Sequence, residues 1–98
     1  MWVKIHKSYR TIVAICDDNV LGEKFEEGIK QLDIRENFYK GQQISKEELV
    51  KLIKIESKED ATFNIVGIES LKAAVDAGLI IKNSWKLVKG ISFILVLA

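Results

Sequence analysis

The sequence predicts a single small α+β domain over residues 1–98, with a mixed β-sheet and two amphipathic helices packed on one face of that sheet. Strand-like segments occur near both ends of the chain, alternating in residues 2–6, rich in β-branched residues in 11–16 and almost wholly apolar in 91–98, and two segments with helical spacing lie between them. Turn-forming residues separate these segments. A chain of 98 residues has the usual size of one domain with one core.

A β-hairpin is predicted at the start of the chain. The segment WVKIH, residues 2–6, alternates between apolar and other side chains, which is typical of a strand with one face on the core. The segment TIVAIC, residues 11–16, is rich in β-branched residues and indicates a second strand. The connecting residues are few and polar, so we expect a turn centred between Ser8 and Tyr9.

The first helix is predicted at residues 45–55, after a glycine-punctuated segment with one short strand at residues 31–34. Ser45 followed three residues later by Glu48 forms a capping box, in which each side chain accepts a hydrogen bond from a free backbone N–H of the first turn. Leucine and isoleucine then follow at helical spacing, with lysines between them.

The second half of the chain contains a strand, a helix and two further strands. The strand at residues 61–67 leads directly into a helix at residues 68–77, which Gly78 closes because glycine adopts the left-handed conformation without steric cost. Two last strands are predicted at residues 85–88 and 91–98.

The last strand, ISFILVLA, is almost wholly apolar. Such a strand is expected in the middle of a sheet or under a partner, because an exposed apolar edge strand promotes association with other chains. A homo-oligomer that pairs through this strand is therefore one alternative for the protein, in the form of an obligate homodimeric structural protein.

Composition favours a globular protein of the cytoplasm. Hydrophobic residues make up 48% of the chain and charged residues 30%. No apolar run approaches the roughly 20 residues of a membrane helix, and the first residues lack the apolar centre of a signal peptide. One cysteine forms no internal disulfide, so nothing requires an oxidising compartment. We therefore expect no membrane partner.

The lone cysteine, Cys16, is expected to be a structural residue. A catalytic thiol needs a base within hydrogen-bond reach, and His6 is the single histidine. The predicted hairpin places His6 opposite Thr11, which puts it roughly 16 Å from Cys16. Free cysteine is also among the most buried residue types. Catalysis by Cys16 with Asp17 is the less favoured alternative.

The sequence predicts no metal and no cofactor. One cysteine and one histidine cannot complete a zinc tetrahedron within the chain, and Asp17 with Asp18 is a turn signal without further oxygen donors. Gly22 and Gly28 do not have the spacing of a phosphate-binding loop. Gly67, at a strand-to-helix junction, permits either close packing or anion binding, and packing is favoured.

The net charge of +1 conceals an uneven distribution, because basic residues predominate at both ends and acidic residues in the middle. If the two ends meet in one sheet, basic and aromatic side chains form a shared face that contacts phosphates and stacks on bases. The predicted RNA- or partner-binding residues are Lys4, His6, Lys7, Tyr9, Arg10, Lys86 and Lys89.

Several short motifs follow one another along nearly the whole chain. These are A-x-C-D from Ala14, LG-x-x-F-x-E-G from Leu21, FY-x-G from Phe38, A-x-x-N-x-VG from Ala61 and GLI from Gly78. In these motifs and their order the chain resembles the small archaeal proteins of the domain of unknown function 424 (DUF424) family. The residues of interest in these motifs are Cys16, Asp17, Gly22, Phe38, Tyr39, Gly41, Asn64 and Gly67.

The resemblance implies a role in translation, because genes of that family tend to lie near those of translation factors. Family members end with a G-V-P-H-A segment, whereas this chain has G-I-S-F-I from Gly90 to Ile94. Chemistry that used this histidine would have lost its base here. We therefore expect a non-enzymatic accessory protein of the archaeal ribosome or translation apparatus that binds ribosomal RNA or a ribosomal protein.

Overall fold

The computed structural model describes residues 1–98 and contains eight strands and three α-helices. The strands are β1 (Trp2–Lys7), β2 (Thr11–Cys16), β3 (Lys24–Glu27), β4 (Lys30–Asp33), β5 (Gln42–Gln43), β6 (Thr62–Val66), β7 (Lys86–Val88) and β8 (Ile91–Leu97). The helices are α1 (Glu36–Tyr39), α2 (Lys46–Glu56) and α3 (Ile68–Asp76). All three helices are too short or too polar to traverse a membrane.

Six of the strands form one mixed sheet in the order β5-β1-β2-β6-β8-β7. β2 and β6 are parallel, and every other neighbouring pair is antiparallel. β3 and β4 form a separate two-stranded sheet. The predicted α+β fold with a mixed sheet is confirmed.

α2 and α3 pack against one face of the main sheet. Leu49 of α2 and Leu71 of α3 are fully buried in one cluster with Phe63 of β6. The predicted capping box begins α2: the Glu48 N–H donates to Ser45 Oγ at 3.2 Å, and the Ser45 N–H donates to Glu48 Oε1 at 3.0 Å. Local sequence therefore fixes where this helix starts, and its apolar stripe fixes which face it covers.

The register of the β1–β2 hairpin differs from the predicted one by one residue. His6 lies opposite Ile12 rather than Thr11, because the turn is centred on a single residue. A shift of one residue moves every side chain of a strand to the other face. Cys16, in register with Trp2, consequently lies on the face that α2 and α3 do not cover.

A second layer covers part of that other face. α1 and the β3–β4 hairpin lie there, and Ile34 and Tyr39 are buried in a cluster with Ala14, Cys16 and Val66. The sequence predicted one short strand in this layer, at residues 31–34, and that strand is β4. β3 and α1 have four residues each, too few for their periodicity to be recognised.

β8 is the second strand from one edge of the main sheet. Its residues from Phe93 to Leu97 pair with β6, whereas its partner on the other side, β7, pairs only with Ile91, Ser92 and Phe93. The expected interior position of the last strand is therefore found over its first half only. The second half is paired on one side.

Candidate functional site

Cys16, at the end of β2, is buried beneath the second layer. Its exposed fraction is 0%, and burial, together with the nearby Asp17 and Asp18 carboxylates, raises the pKa of the thiol to about 12. His6 lies four positions along the hairpin from Trp2, the partner of Cys16, which is about 13 Å at the rise of a strand. The thiol is therefore inaccessible to a substrate and has no histidine base within reach, which is typical of a structural cysteine.

Asp17 caps helix α3 from a different part of the chain. Its Oδ2 accepts the backbone N–H of Glu69 at 3.1 Å, and its Oδ1 accepts the backbone N–H of Ser70 at 2.8 Å and the Ser70 hydroxyl at 2.7 Å. A carboxylate at a helix N-terminus satisfies free N–H groups and interacts favourably with the helix dipole. Both oxygens of Asp17 are thus engaged in structure.

Gly67 makes room for this cap. It is the N-cap residue of α3 with φ of 105° and has no side chain that could accept a hydrogen bond. A Cβ placed on Gly67 would lie 2.3 Å from Asp17 Cγ and 2.4 Å from Asp17 Oδ2. The carboxylate of Asp17 therefore occupies the position of a capping side chain, and close packing explains Gly67.

Most of the other motif residues also hold the second layer in place. Phe38 stacks on His6 with ring centroids 4.6 Å apart, and its neighbour Tyr39 is buried, which raises the pKa of the phenol to about 12. A Cβ on Gly41 would lie 2.5 Å from the carbonyl oxygen of Val3, so only glycine fits there.

Two motif residues have smaller roles. Gly22 has φ of 82°, in the left-handed region that favours glycine, and its N–H donates to the carbonyl of Ile34 at 2.7 Å. Asn64 is half-buried on β6 between Ala14 and Leu95 in the register of the sheet. No contact of the Asn64 side chain explains its place in the motif.

The predicted basic face is divided by the fold. Lys4 Nζ donates to the carbonyl of Asn37 at 2.8 Å, and His6 Nε2 lies 2.8 Å from the carbonyl of Phe38, so both side chains fasten α1 to the sheet. Lys86 lies on the edge strand β7, four strands from β1 or about 19 Å across the sheet.

Three of the predicted binding residues remain together at the β1–β2 turn. Lys7, Tyr9 and Arg10 are exposed there, and Tyr9 is fully so, with a relative exposure of 104%. We call the segment Lys7–Arg10 the hairpin tip. Lys89, the residue after β7, lies at the opposite end of the sheet from the hairpin tip, because β7 pairs with the start of β8. The hairpin tip and Lys86–Lys89 are therefore two separate surfaces.

The sequence did not predict Ser70 as a functional partner of Asp17. Its signal is indirect: the helix begins after a glycine that has no capping oxygen, so another residue must supply one. The strand order makes Asp17 that residue, because the carboxyl ends of parallel β2 and β6 are adjacent.

No cluster of three or more histidine, cysteine or carboxylate side chains suited to a metal occurs in the structure. A cleft of about 110 Å³ lies beside Asp17 and Gly67 at the ends of β2 and β6. A larger one of about 370 Å³ lies between α3 and the segment before β7, with three lysines on its wall. Two of these are already in ion pairs, Lys46 with Asp76 at 3.0 Å and Lys72 with Glu69 at 3.4 Å.

Comparison with known proteins gives a family and a fold. The family model described as "Protein of unknown function (DUF424)" matches residues 6–97. The solved structure of an uncharacterized conserved protein from Methanopyrus kandleri aligns with a TM-score of 0.88, covering 97% of this chain and 88% of that chain at 24% sequence identity. No curated protein matches the sequence. At this identity the structural likeness supports the fold alone.

Proposed function

This chain belongs to the DUF424 family, and we propose that it is a non-enzymatic accessory protein of the archaeal translation apparatus that binds ribosomal RNA through its hairpin tip. The observation that carries the proposal is the fully exposed ring of Tyr9 between the exposed cations Lys7 and Arg10. Exposed aromatic rings beside cations stack on unpaired bases and contact the neighbouring phosphates.

The two paired strands below the hairpin tip, β1 and β2, support its role as a binding element. Val13 and Val3 of the two strands are buried, and the strands pair without interruption from Trp2–Cys16 to Lys7–Thr11. The backbone of the hairpin tip is therefore preorganised for binding, whereas the Tyr9 ring, which no other residue covers, loses side-chain freedom when it stacks.

The small net charge of +1 limits the size of this contact. Lys7 and Arg10 are the two phosphate-binding cations. A plot of the logarithm of the affinity for single-stranded RNA against the logarithm of the salt concentration should therefore have a slope of about −1.4. Stacking on Tyr9 would contribute about 1–3 kcal/mol of binding free energy, and salt does not screen this contribution. The role proposed here is a local contact rather than a large electrostatic interface.

The alternative of an enzyme that uses Cys16 and Asp17 has little support from the site. The thiol is buried without a base, and both carboxylate oxygens of Asp17 accept hydrogen bonds from α3. A ribosomal protein remains the other partner class, and the experiments below distinguish it from RNA.

The first test is sedimentation of lysate from source cells through sucrose gradients at low and moderate salt, with each fraction probed for this protein. Comigration with a ribosomal subunit supports the proposal. Recovery only at the top of the gradient at both salts contradicts it.

The second test uses purified protein and ribosomal RNA. The triple variant Lys7→Ala, Tyr9→Ala, Arg10→Ala should bind at least about tenfold more weakly, because it loses one stacked base and two phosphate contacts. The control Lys51→Ala, Lys54→Ala removes the same charge from exposed positions of α2. Equal weakening in both variants would indicate nonspecific attraction. Ribosome association without binding to naked RNA would indicate a ribosomal protein as partner.

A further inference from the structure

The second half of β8 presents an unpaired backbone edge. The Gly67 N–H donates to the Ser92 carbonyl at 2.8 Å, and the Ala98 N–H donates to the Ala61 carbonyl at 3.1 Å. In an antiparallel pair, successive residues alternate between bonding to the partner strand and facing away from it. The N–H and C=O groups of Leu95 therefore face away from β6, as do those of Leu97.

Nothing else in the chain pairs with this edge. β7 stops at the position opposite Phe93, and no backbone hydrogen bond from the segment before β7 reaches Leu95 or Leu97. Leu79, Ile80 and Trp85 of that segment instead pack on the helix-covered face, and Ile81 is exposed. The free edge thus runs from residue 94 to residue 98.

The side chains along this edge are apolar and exposed. Leu95 is 60% exposed and Leu97 is 71% exposed, and alternation places both on the same face of the sheet. β8 contains no charged residue and no proline, whereas β7 begins with Lys86 and β1 contains Lys4 and Lys7. Edge strands are usually protected from association by such charges, and this one is not.

We infer that a second copy of this chain pairs with this edge, β8 against β8, in antiparallel register about a two-fold axis at Val96. Leu95 of each copy then lies opposite Leu97 of the other, and their outward N–H and C=O groups exchange four backbone hydrogen bonds. The two main sheets become one continuous sheet.

The chemistry of the strand favours a copy of itself over another partner. In this two-fold register Leu95 and Leu97 each lie diagonal to the same residue of the other copy, so a charge at either position would lie about 7–8 Å from its own like charge. An uncharged strand avoids this repulsion. The pairing uses residues 94–98 of each copy and ends before position 93, where β7 already occupies the edge. The register therefore fits without displacing any strand.

The first measurement is the mass of the pure protein by sedimentation equilibrium over a dilution series. The interface is short, so we expect a reversible association in which the mass rises from that of the 11.1 kDa chain toward twice that value with concentration. A monomer at every concentration would overturn the inference.

Two variants with the same substitution locate the interface. Leu95→Lys places like charges on neighbouring strands of the two copies and should weaken dimerisation at least about tenfold. Ile55→Lys, on α2 with a similar exposure of 62%, should leave dimerisation unchanged. If Leu95→Lys protein dimerises over the same concentration range as the wild type, β8 pairing is contradicted.

The register is tested by disulfide formation between two variants that each carry one added, exposed cysteine. A mixture of Leu95→Cys protein with Leu97→Cys protein should cross-link more than either protein alone, because directly opposite Cβ atoms are about 5 Å apart and diagonal ones about 7–8 Å. Cys16 is buried and does not compete. Equal cross-linking in all three samples, or none, would contradict the register and with it the inference. This test is independent of RNA binding.

Discussion

Asp17 Oδ1 accepts hydrogen bonds from both the backbone N–H and the hydroxyl of Ser70, at 2.8 and 2.7 Å, although the two residues are 53 positions apart. This contact joins the end of β2 to the start of α3. It turns the aspartate of the A-x-C-D motif from a candidate catalytic group into a part of the fold.

Asp17→Ala should lower the free energy of unfolding by about 3 kcal/mol, because it leaves the buried N–H and hydroxyl of Ser70 and the partly buried N–H of Glu69 without their acceptor. Chemical denaturation measures this loss. Asp18→Ala is the control, since Asp18 is exposed and pairs with the N-terminal amine at 3.0 Å, and its loss should cost less than about 1 kcal/mol. Equal losses in the two variants would mean that Asp17 is not the cap.

Gly67→Ala should destabilise the protein more than Gly78→Ala. Both glycines have positive φ, 105° and 80°, but a Cβ on Gly67 would overlap the Asp17 carboxylate, whereas a Cβ on Gly78 has no atom within 4 Å. Chemical denaturation should show that Gly78→Ala lowers the free energy of unfolding by about 1 kcal/mol and that Gly67→Ala lowers it clearly more. In an Asp17→Ala background the cost of Gly67→Ala should fall in part, because the overlap with the carboxylate is removed while the contact with the Cβ of residue 17, at 2.7 Å, remains. Strictly additive costs would disprove the overlap with the carboxylate.

The Cys16 thiol should not react with an aromatic disulfide reagent near neutral pH while the protein is folded. Burial raises its pKa to about 12, so almost no thiolate is present, and the reagent cannot reach it. Reaction should become complete once denaturant unfolds the chain. Rapid stoichiometric labelling of the folded protein would revive the catalytic alternative.

Stability should decrease at alkaline pH. The pKa of Cys16 is raised from 9.0 to about 12 in the folded protein, so folding favours the protonated thiol, and the unfolded state loses protons first. The stabilisation is complete below about pH 9 and is lost as pH rises toward 12, at up to about 1.4 kcal/mol per pH unit. Cys16→Ala should flatten this slope, leaving the part due to Tyr39, whose pKa is also raised to about 12. An unchanged slope in Cys16→Ala would place the effect elsewhere.

Much of the architecture could be predicted, because local patterns determine it. The capping box at Ser45 and the spacing of Leu49 and Ile53 specify where α2 begins and which of its faces is buried. Alternation in β1 likewise assigned Val3 to the core. Such signals depend on neighbours within one or two turns, and distant residues do not change them.

The candidate site was predicted less well, because distant pairing decides it. Lys4 and His6 matched the pattern of a binding face, but α1 packs over them and takes up their polar atoms. Lys86 matched it too, yet the strand order places it on the far edge of the sheet. Side chains that alternate identically along a strand differ in exposure once another layer covers part of the face.

The sequence by itself determined the α+β class, the two long helices and the buried, structural character of Cys16. The tertiary structure alone decided the hairpin register, the capping of α3 by Asp17 and the free edge of β8. The physical reason is range: helix caps and periodicity are set by residues within a few positions, whereas register, strand order and a cap that spans 53 positions depend on which distant segments pack together.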